Sequence, residues 1–322
     1  TDVFVDEAAC AVSLGNLPYT RAKDNEPTYT LGFDWKITDR VMVYGVHHRG
    51  FRAATVNSPL FTSNFTTGGL GCQSPPAPAG GRCPDLRPFQ TTEPEKVTDV
   101  EIGVKTNWTL GDVRGRFNVA AYQLKLKGLV QFLQSAELGI PSSAPDRPQS
   151  GSLGINLADQ TVKGIEVDAA ISPIRGLTFT GNASYVDHKI DRVNFPAIGN
   201  FSFTAASINR PTPKFSGTAS IEYVTEIDAS GTQLAFNGEL YHSTSYRPQS
   251  GIALPGYDTA NGRIDLRNIA GKGFDFGFWM KNITNEKYID APIVLSPAFP
   301  VATGLYGERR TFGVDLRVRF GA

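Results

Sequence analysis

Cysteine is nearly missing from this chain, with three in 322 residues. That scarcity excludes a disulfide-built mini-fold and a zinc cluster of cysteines. No run approaches the roughly 18 uncharged apolar residues that a membrane-spanning helix needs, so helical membrane proteins are excluded as well. Net charge is also absent, with 31 Lys+Arg balanced by 31 Asp+Glu. Without a Lys/Arg-rich run, no nucleic-acid partner is expected. A transmembrane β-barrel survives all three exclusions, because it places its apolar residues at every second position. The chain opens on Thr1 with no basic-then-apolar signal segment. Thr1 is therefore expected to follow either a cleaved signal or a longer stretch of sequence.

What is present is sustained alternation. Val100, Ile102, Val104 and Trp108 alternate with Asp99, Glu101, Lys105 and Asn107. Ile165, Val167, Ala169 and Ile171 alternate with Gly164, Glu166 and Asp168, and Phe274, Phe276, Phe278 and Met280 with Asp275, Gly277 and Lys281. The cleanest set is Phe312, Val314, Leu316, Val318 and Phe320 against Gly313, Asp315, Arg317 and Arg319. Successive strand side chains point to opposite faces, so each segment has one apolar and one polar face. About eleven strands emerge from this period: 28–37, 41–52, 97–110, 113–127, 159–172, 177–190, 214–224, 233–243, 257–269, 274–284 and 310–320. Many exceed the roughly nine to eleven residues that cross a bilayer at a tilt, and strands of soluble proteins average only about five or six.

The connections alternate in length. Short turns lie at 38–40, 111–112, 173–176, 226–232 and 270–273, and long Gly/Pro/Ser/Asn-rich loops at 53–96, 128–158, 191–213, 244–256 and 285–309. Short turns on the periplasmic side and long extracellular loops are the pattern of an outer-membrane barrel. The expected fold is therefore all-β: an antiparallel transmembrane β-barrel wall. Charges keep to the polar parity, as they must where a lipid-facing Lys or Arg costs about 2–4 kcal/mol. One segment breaks parity. Phe117, Val119 and Ala121 are odd, whereas Tyr122, Leu124 and Leu126 are even. A β-bulge near Ala121-Tyr122 or a strand end would reconcile them.

Several of these segments resemble TonB-dependent outer-membrane receptors. They are Trp35-Lys36-Ile37-Thr38-Asp39-Arg40-Val41-Met42-Val43-Tyr44 with Arg49-Gly50-Phe51-Arg52, and Val162-Lys163-Gly164-Ile165-Glu166-Val167-Asp168. The closing pair is the most specific: Lys281-Asn282-Ile283-Thr284-Asn285-Glu286-Lys287-Tyr288, then Gly307-Glu308-Arg309-Arg310-Thr311-Phe312-Gly313-Val314. The resemblance implies a barrel of about 22 strands around an N-terminal plug. It also implies import of a scarce nutrient such as a ferric siderophore, energised by the TonB complex. Residues 1–322 are then expected to be the C-terminal portion of that barrel, a partial barrel with neither plug nor TonB box. The family commonly ends on an aromatic residue, whereas Gly321 and Ala322 follow Phe320 here.

Candidate sites follow from position. Arg suits an anionic chelate, and aromatic faces suit catechol or sugar rings. Arg49, Phe51, Arg52, Tyr246, Arg247, Tyr306 and Arg309 are therefore the loop-borne ligand candidates, against lipopolysaccharide contact or plain loop packing. Cys72 and Cys83 flank a Gly/Pro-rich stretch of the longest loop. A disulfide there would contribute about 3 kcal/mol, and two free thiols are the alternative. Cys10 is left over. His47 and His48 point to opposite strand faces, and His188 and His242 sit near strand ends, so no metal site is expected. No Gly-x-Ser-x-Gly elbow or His-Glu-x-x-His helix occurs, and Glu166 with Asp168 reads as a structural pair, so no catalytic residue and no cofactor are expected. Trp35, Trp108, Tyr223 and Phe320 on one side, and Tyr44, Tyr122, Tyr185 and Tyr241 on the other, read as membrane-interface girdles.

The expected partners are outer-membrane lipid and lipopolysaccharide, an imported small ligand such as an iron chelate, and TonB through a preceding segment. The expected location is the bacterial outer membrane. Two rivals stand: a small stand-alone porin of about twelve strands, and a surface β-sandwich adhesin, which the strand lengths disfavour.

Overall fold

The computed structural model describes residues 22, 24–57, 89, 91–134, 152–195, 197–198, 201–249, 252–294 and 302–319. Eleven strands form one antiparallel sheet in which every neighbour in space is the next long strand in sequence. In order they are β1 (Tyr29–Thr38), β2 (Val41–Arg52), β3 (Glu95–Leu110), β4 (Val113–Gln134), β5 (Ser152–Ile174) and β6 (Leu177–Val193). The short pair β7 (Ala197–Ile198) and β8 (Phe201–Ser202) follows, and then β9 (Phe215–Glu226) and β10 (Gln233–Ser243). A second short pair, β11 (Tyr246–Gln249) with β12 (Ile252–Leu254), precedes β13 (Tyr257–Ile269) and β14 (Phe274–Lys281). A third, β15 (Ile289–Val294) with β16 (Ala302–Tyr306), precedes β17 (Thr311–Val318). The three short pairs lie in long connections and stay outside the main sheet, whose edges are β1 and β17. No helix among the described residues is long and apolar enough to cross a membrane.

Tight turns alternate with the long connections as the loop lengths predict. Gly111, at φ 59°, closes the β3–β4 turn in the left-handed region that glycine enters at no steric cost. Gly176 is more constrained, since a Cβ there would lie 2.0 Å from the Val224 carbonyl oxygen.

Pairing stacks like with like. One rung runs Phe33–Gly45–Ile102–Ala121–Ile165–Tyr185–Phe215, and another Tyr223–Phe236–Ile264–Phe278–Val314. These side chains are not a core. Phe33, Ile102, Ile165 and Val314 are exposed, and Leu316 reaches 73%. From Val100 to Leu110 a strand travels about 33 Å, which at the roughly 40° tilt of barrel strands spans about 25 Å. An exposed apolar face of that height matches the hydrocarbon band of a membrane.

The opposite face is polar and internally paired. Arg116 meets Asp168 at 2.9 Å, and the Tyr44 hydroxyl donates to Glu101 at 2.6 Å. Arg263 bridges Asp265 (2.8 Å) and Asp315 (2.7 Å), and Arg319 holds Asp275 at 2.6 Å. The expected parity of the charges holds across the apolar band, whereas toward the long-loop end Arg49, Lys96, Lys125, Lys127 and Lys163 lie on the apolar parity. Asp168, half of the Glu166/Asp168 pair, is bound to Arg116 and to Asn118 at 3.1 Å, in keeping with its structural reading.

The parity break has a different cause from the one expected. The β3–β4 register runs without a shift from Lys96–Lys127 to Leu110–Val113, so no bulge lies at Ala121-Tyr122. Tyr122, Leu124 and Leu126 are on the polar face of a continuous strand. The irregularities come later, between Leu126, Leu129 and Val130. Beyond them β4 and β5 continue as an extension, reaching 22 and 23 residues, far longer than a bilayer needs.

The conventional core sits in that extension. Leu133 and Leu153 face each other across the hairpin and are almost fully buried, as are Ile155 and Leu157. Phe89, Phe203 and Ile208 from two long connections cover them. Asn57 pins one connection, its Nδ2 donating to the carbonyls of Phe89 (2.6 Å) and Gly154 (2.8 Å). Gln131 pins the other, donating to the Ser207 carbonyl at 3.1 Å and accepting from the Asn209 N–H at 3.2 Å.

Candidate functional site

Where the extension leaves the sheet, the polar face carries an apolar hollow of about 930 Å³. Its wall is Tyr122, Leu124 and Leu126 of β4 with Val162 of β5 and Val186 of β6, and Pro211, Pro213 and Pro248 close it from the connections. Leu124 lies opposite Val162, and Val162 opposite His188, so the register alone assembles the floor. The Tyr122 ring lies over Gly164 on the next strand, where a Cβ would come within 2.3 Å of it. A close aromatic–glycine pair of this kind fixes the ring flat against the wall.

Polar groups lie beside this apolar wall, among them Gln160, His188, Asn209 and Thr212. His188 Nδ1 meets the Gln160 amide at 2.7 Å, and its Nε2 meets the Thr212 hydroxyl at 2.7 Å. Asn209 Oδ1 is buried without a hydrogen-bond partner among the described residues. Among the described residues, Glu166 is the only carboxylate in the lining, and no lysine or arginine takes part. Such a surface suits a largely uncharged, apolar or aromatic body held by a few directed hydrogen bonds.

A tyrosine group lies at the same end of the polar face. Tyr257 stacks on Tyr288 with centroids 4.1 Å apart and planes 12° from parallel, and Tyr241 lies 5.5 Å from Tyr257. Burial, and then the Asp290 carboxylate, pushes the Tyr246 hydroxyl up from its ordinary value.

None of the residues expected from sequence to contact ligand is among the described residues that line this hollow. Arg49, on the apolar parity of β2, is paired with Glu26 at 3.2 Å. Lys96 and then Arg49 hold Glu26 below the usual carboxylate range. Phe51 lies opposite Lys96 near the end of the same strand, and Arg52, its last residue, is paired with Glu95 at 2.7 Å. Tyr246 and Arg247 lie in β11, where the Arg247 carbonyl accepts from the Arg210 N–H at 2.8 Å. Tyr306 ends β16 and is exposed, and Arg309 donates from Nε to Asn285 Oδ1 at 3.3 Å. Among the described residues no hydrogen bond or ion pair joins these seven to one another. Cys10, Cys72 and Cys83 lie outside the described residues.

The aromatic girdles divide. Trp35, Trp108, Tyr223 and Tyr185 are exposed on the apolar face, as girdle residues should be. Tyr44, Tyr122 and Tyr241 instead face the polar side, where the Tyr44 hydroxyl reaches Glu101 diagonally and Tyr122 lies directly opposite Glu101. The closing motif also acquires a physical reason. Asn282, at φ 47°, donates from Nδ2 to the carbonyls of Glu286 and Glu308, both at 2.9 Å, and accepts from the Glu286 N–H at 2.8 Å. It ties the end of β14 to the start of β17, a structural knot.

A long antiparallel meander with an exposed apolar band on one face and a polar, internally paired opposite face is the wall of a membrane barrel. The family "TonB dependent receptor-like, beta-barrel" matches residues 6–283. The chain belongs to that family. A search of curated proteins finds no match. Among solved structures, the ferric yersiniabactin uptake receptor of Yersinia pestis superposes with a TM-score of 0.62 at 13% identity, covering 94% of this chain and 38% of that one. The ferric preacinetobactin receptor of Acinetobacter baumannii gives 0.54 at 18%, covering 94% and 37%. The ferripyoverdine receptor of the outer membrane of Pseudomonas aeruginosa, bound to ferripyoverdine, gives 0.55 at 13%, covering 92% and 33%. The chain thus spans little more than a third of the receptors it resembles. These likenesses establish the fold, with the apolar face as the outer wall and the polar face as the lumen.

Proposed function

We propose that the chain forms the C-terminal part of a TonB-energised outer-membrane receptor that imports a scarce nutrient such as a ferric siderophore. The plug and the TonB contact belong to other parts of such a receptor. The observation that carries this reading is the 930 Å³ hollow on the lumenal wall at the long-loop end, where an extracellular ligand would first be held. Its apolar floor and uncharged donors suit the organic shell of a chelate better than a bare anion. The role is capture and passage, with no chemical step.

The experiment is uptake of radioiron chelates by iron-starved cells carrying the whole receptor. Leu124→Glu puts a charge on the apolar floor and is expected to cut uptake about ten-fold or more, since an unpaired buried charge is strongly disfavoured. Surface abundance should stay unchanged, and a proton-gradient uncoupler should abolish the remaining uptake. Unimpaired uptake by the variant would remove the hollow from the pathway, and uptake indifferent to the uncoupler would remove TonB.

A further inference from the structure

The hollow differs from the rest of the lumen in the sign of its charge. Three successive lumenal rungs pass through it and just below it, running from Thr30, Gly32 and Asp34 on β1 to His188, Val186 and Ser184 on β6. These rungs hold the carboxylates Asp34, Asp99, Glu101 and Glu166, and no lysine or arginine. Two of the carboxylates are engaged, Asp99 by His48 at 2.9 Å and Glu101 by the Tyr44 hydroxyl. Glu166 is different. It lies between Ala120 and Ser184, lines the hollow, and is exposed on the lumenal face. Among the described residues no hydrogen bond or ion pair involves it. One rung lower, Asp168 is neutralised by Arg116 at 2.9 Å. A full negative charge therefore remains beneath the apolar floor at Glu166.

The arginines that would receive an anionic chelate are engaged elsewhere. Arg49 is held by Glu26 and Arg52 by Glu95. Arg210, next in sequence to the lining residues Asn209 and Pro211, donates to the Ala205 carbonyl at 3.4 Å. The lumen is not short of cations as a whole. At its short-turn end Arg263, Arg267, Arg317 and Arg319 line a separate hollow of about 780 Å³ together with Asp265 and Asp275. A ligand held in the upper hollow thus lies over carboxylates, with the guanidinium cluster at the opposite end of the wall.

Iron(III) chelates differ sharply in charge. Three catecholates, each doubly charged, leave the complex trianionic, whereas three singly charged hydroxamates neutralise the metal. Both classes carry an organic shell that an apolar floor accepts, so Leu124, Leu126 and Val162 do not separate them. Charge does. A site discriminates as well by repelling the wrong ligand as by attracting the right one. Carboxylates beside a low-dielectric floor are poorly screened from a bound anion, and a wall of one sign focuses that field.

We propose that the hollow is charge-selective: it admits electroneutral iron(III) chelates of the tris-hydroxamate class and turns away trianionic tris-catecholates, with Glu166 as the specificity-determining residue. This inference rests on the import reading above and names the substrate class of that same site. Asp34 and Glu101 add to the repulsion from neighbouring rungs.

The test compares the binding of two radioiron probes to the whole receptor in outer-membrane vesicles, an electroneutral trihydroxamate chelate and a trianionic tricatecholate chelate. The trihydroxamate is expected to bind about ten-fold or more tightly, and the ratio should shrink as salt rises. Glu166→Gln should lower the ratio about three-fold or more, and Glu166→Lys further still. Both variants should keep the heat-modifiable mobility of the folded barrel. The wild-type ratio and its salt dependence remain decisive if either variant fails to assemble. Equal or tighter binding of the tricatecholate, binding of neither probe, or a ratio unmoved in both assembled variants would overturn the proposal. Uptake by whole cells separates this failure from that of the import reading. Uncoupler-sensitive import that favours the tricatecholate defeats the charge selection alone, whereas binding with no uncoupler-sensitive uptake defeats the import reading.

Discussion

The lower and upper halves of β4 carry opposite instructions on one continuous strand. Below, Phe117, Val119 and Ala121 turn their apolar side chains outward, and above, Tyr122, Leu124 and Leu126 turn theirs inward, with no register shift between them. Lys125 and Lys127 take the outward positions in the upper half. The difference teaches that parity follows the surrounding solvent rather than the strand. In hydrocarbon the outer face must be apolar, whereas above the leaflet the outer face meets water and the inner face can close on apolar contacts. The same switch explains why the buried core, Leu133, Leu153, Ile155 and Leu157, appears only in the extension.

If the two regions are held by different forces, they should fail separately. Leu153→Ala removes an almost fully buried side chain and should cost about 2–5 kcal/mol within the extension. Hydrogen exchange at residues 152–158 should accelerate strongly while the membrane strands remain protected. Loss of protection throughout the sheet would show one cooperative unit. In the band, Val167→Lys should cost about 2–4 kcal/mol in denaturant titration in lipid vesicles. Asn182→Lys, on the lumenal face of the neighbouring strand, should cost far less. Equal costs would erase the distinction between the faces.

The smallest effect concerns a short turn outside the band. Ser230 and Thr232 donate to Asp228 and lower its pKa to about 2, below the ordinary value of about 3.9. Depressed in the folded state, this carboxylate supports the β9–β10 turn above about pH 4 and loses that support as pH falls toward 2. Asp228→Asn should raise amide exchange at Thr232 a few-fold at neutral pH and flatten its acid dependence. An unchanged acid profile would sever the turn from Asp228.

Much of this was legible because period two is strong in hydrocarbon. All eleven main strands appear at the expected places, and β2, β10 and β13 at the expected residues. The ends of β4 and β5 were not legible. Gly128, at φ 70°, and the neighbouring bulges interrupt the alternation there, so the period suggests a loop where the strands continue. β14 stops at Lys281 rather than residue 284 because Asn282 adopts a left-handed conformation. The hollow was hidden for another reason. Leu124, Val162 and Pro211 are far apart in sequence, and their inward aim contradicts the parity learned from the band. Arg49 and Arg52 look free in a loop-flanking segment, and only the fold reveals Glu26 and Glu95 beside them.

The most direct test is the accessibility of single cysteines along the wall, in a receptor with its native cysteines replaced and reconstituted in lipid. Ile102→Cys and Val104→Cys should resist a hydrophilic maleimide and be quenched by brominated lipid. Lys163→Cys should react freely, and Leu124→Cys should react without lipid quenching. If positions 102 and 104 label as readily as 163, or if 124 is quenched by lipid, the switch of sidedness along β4 is contradicted.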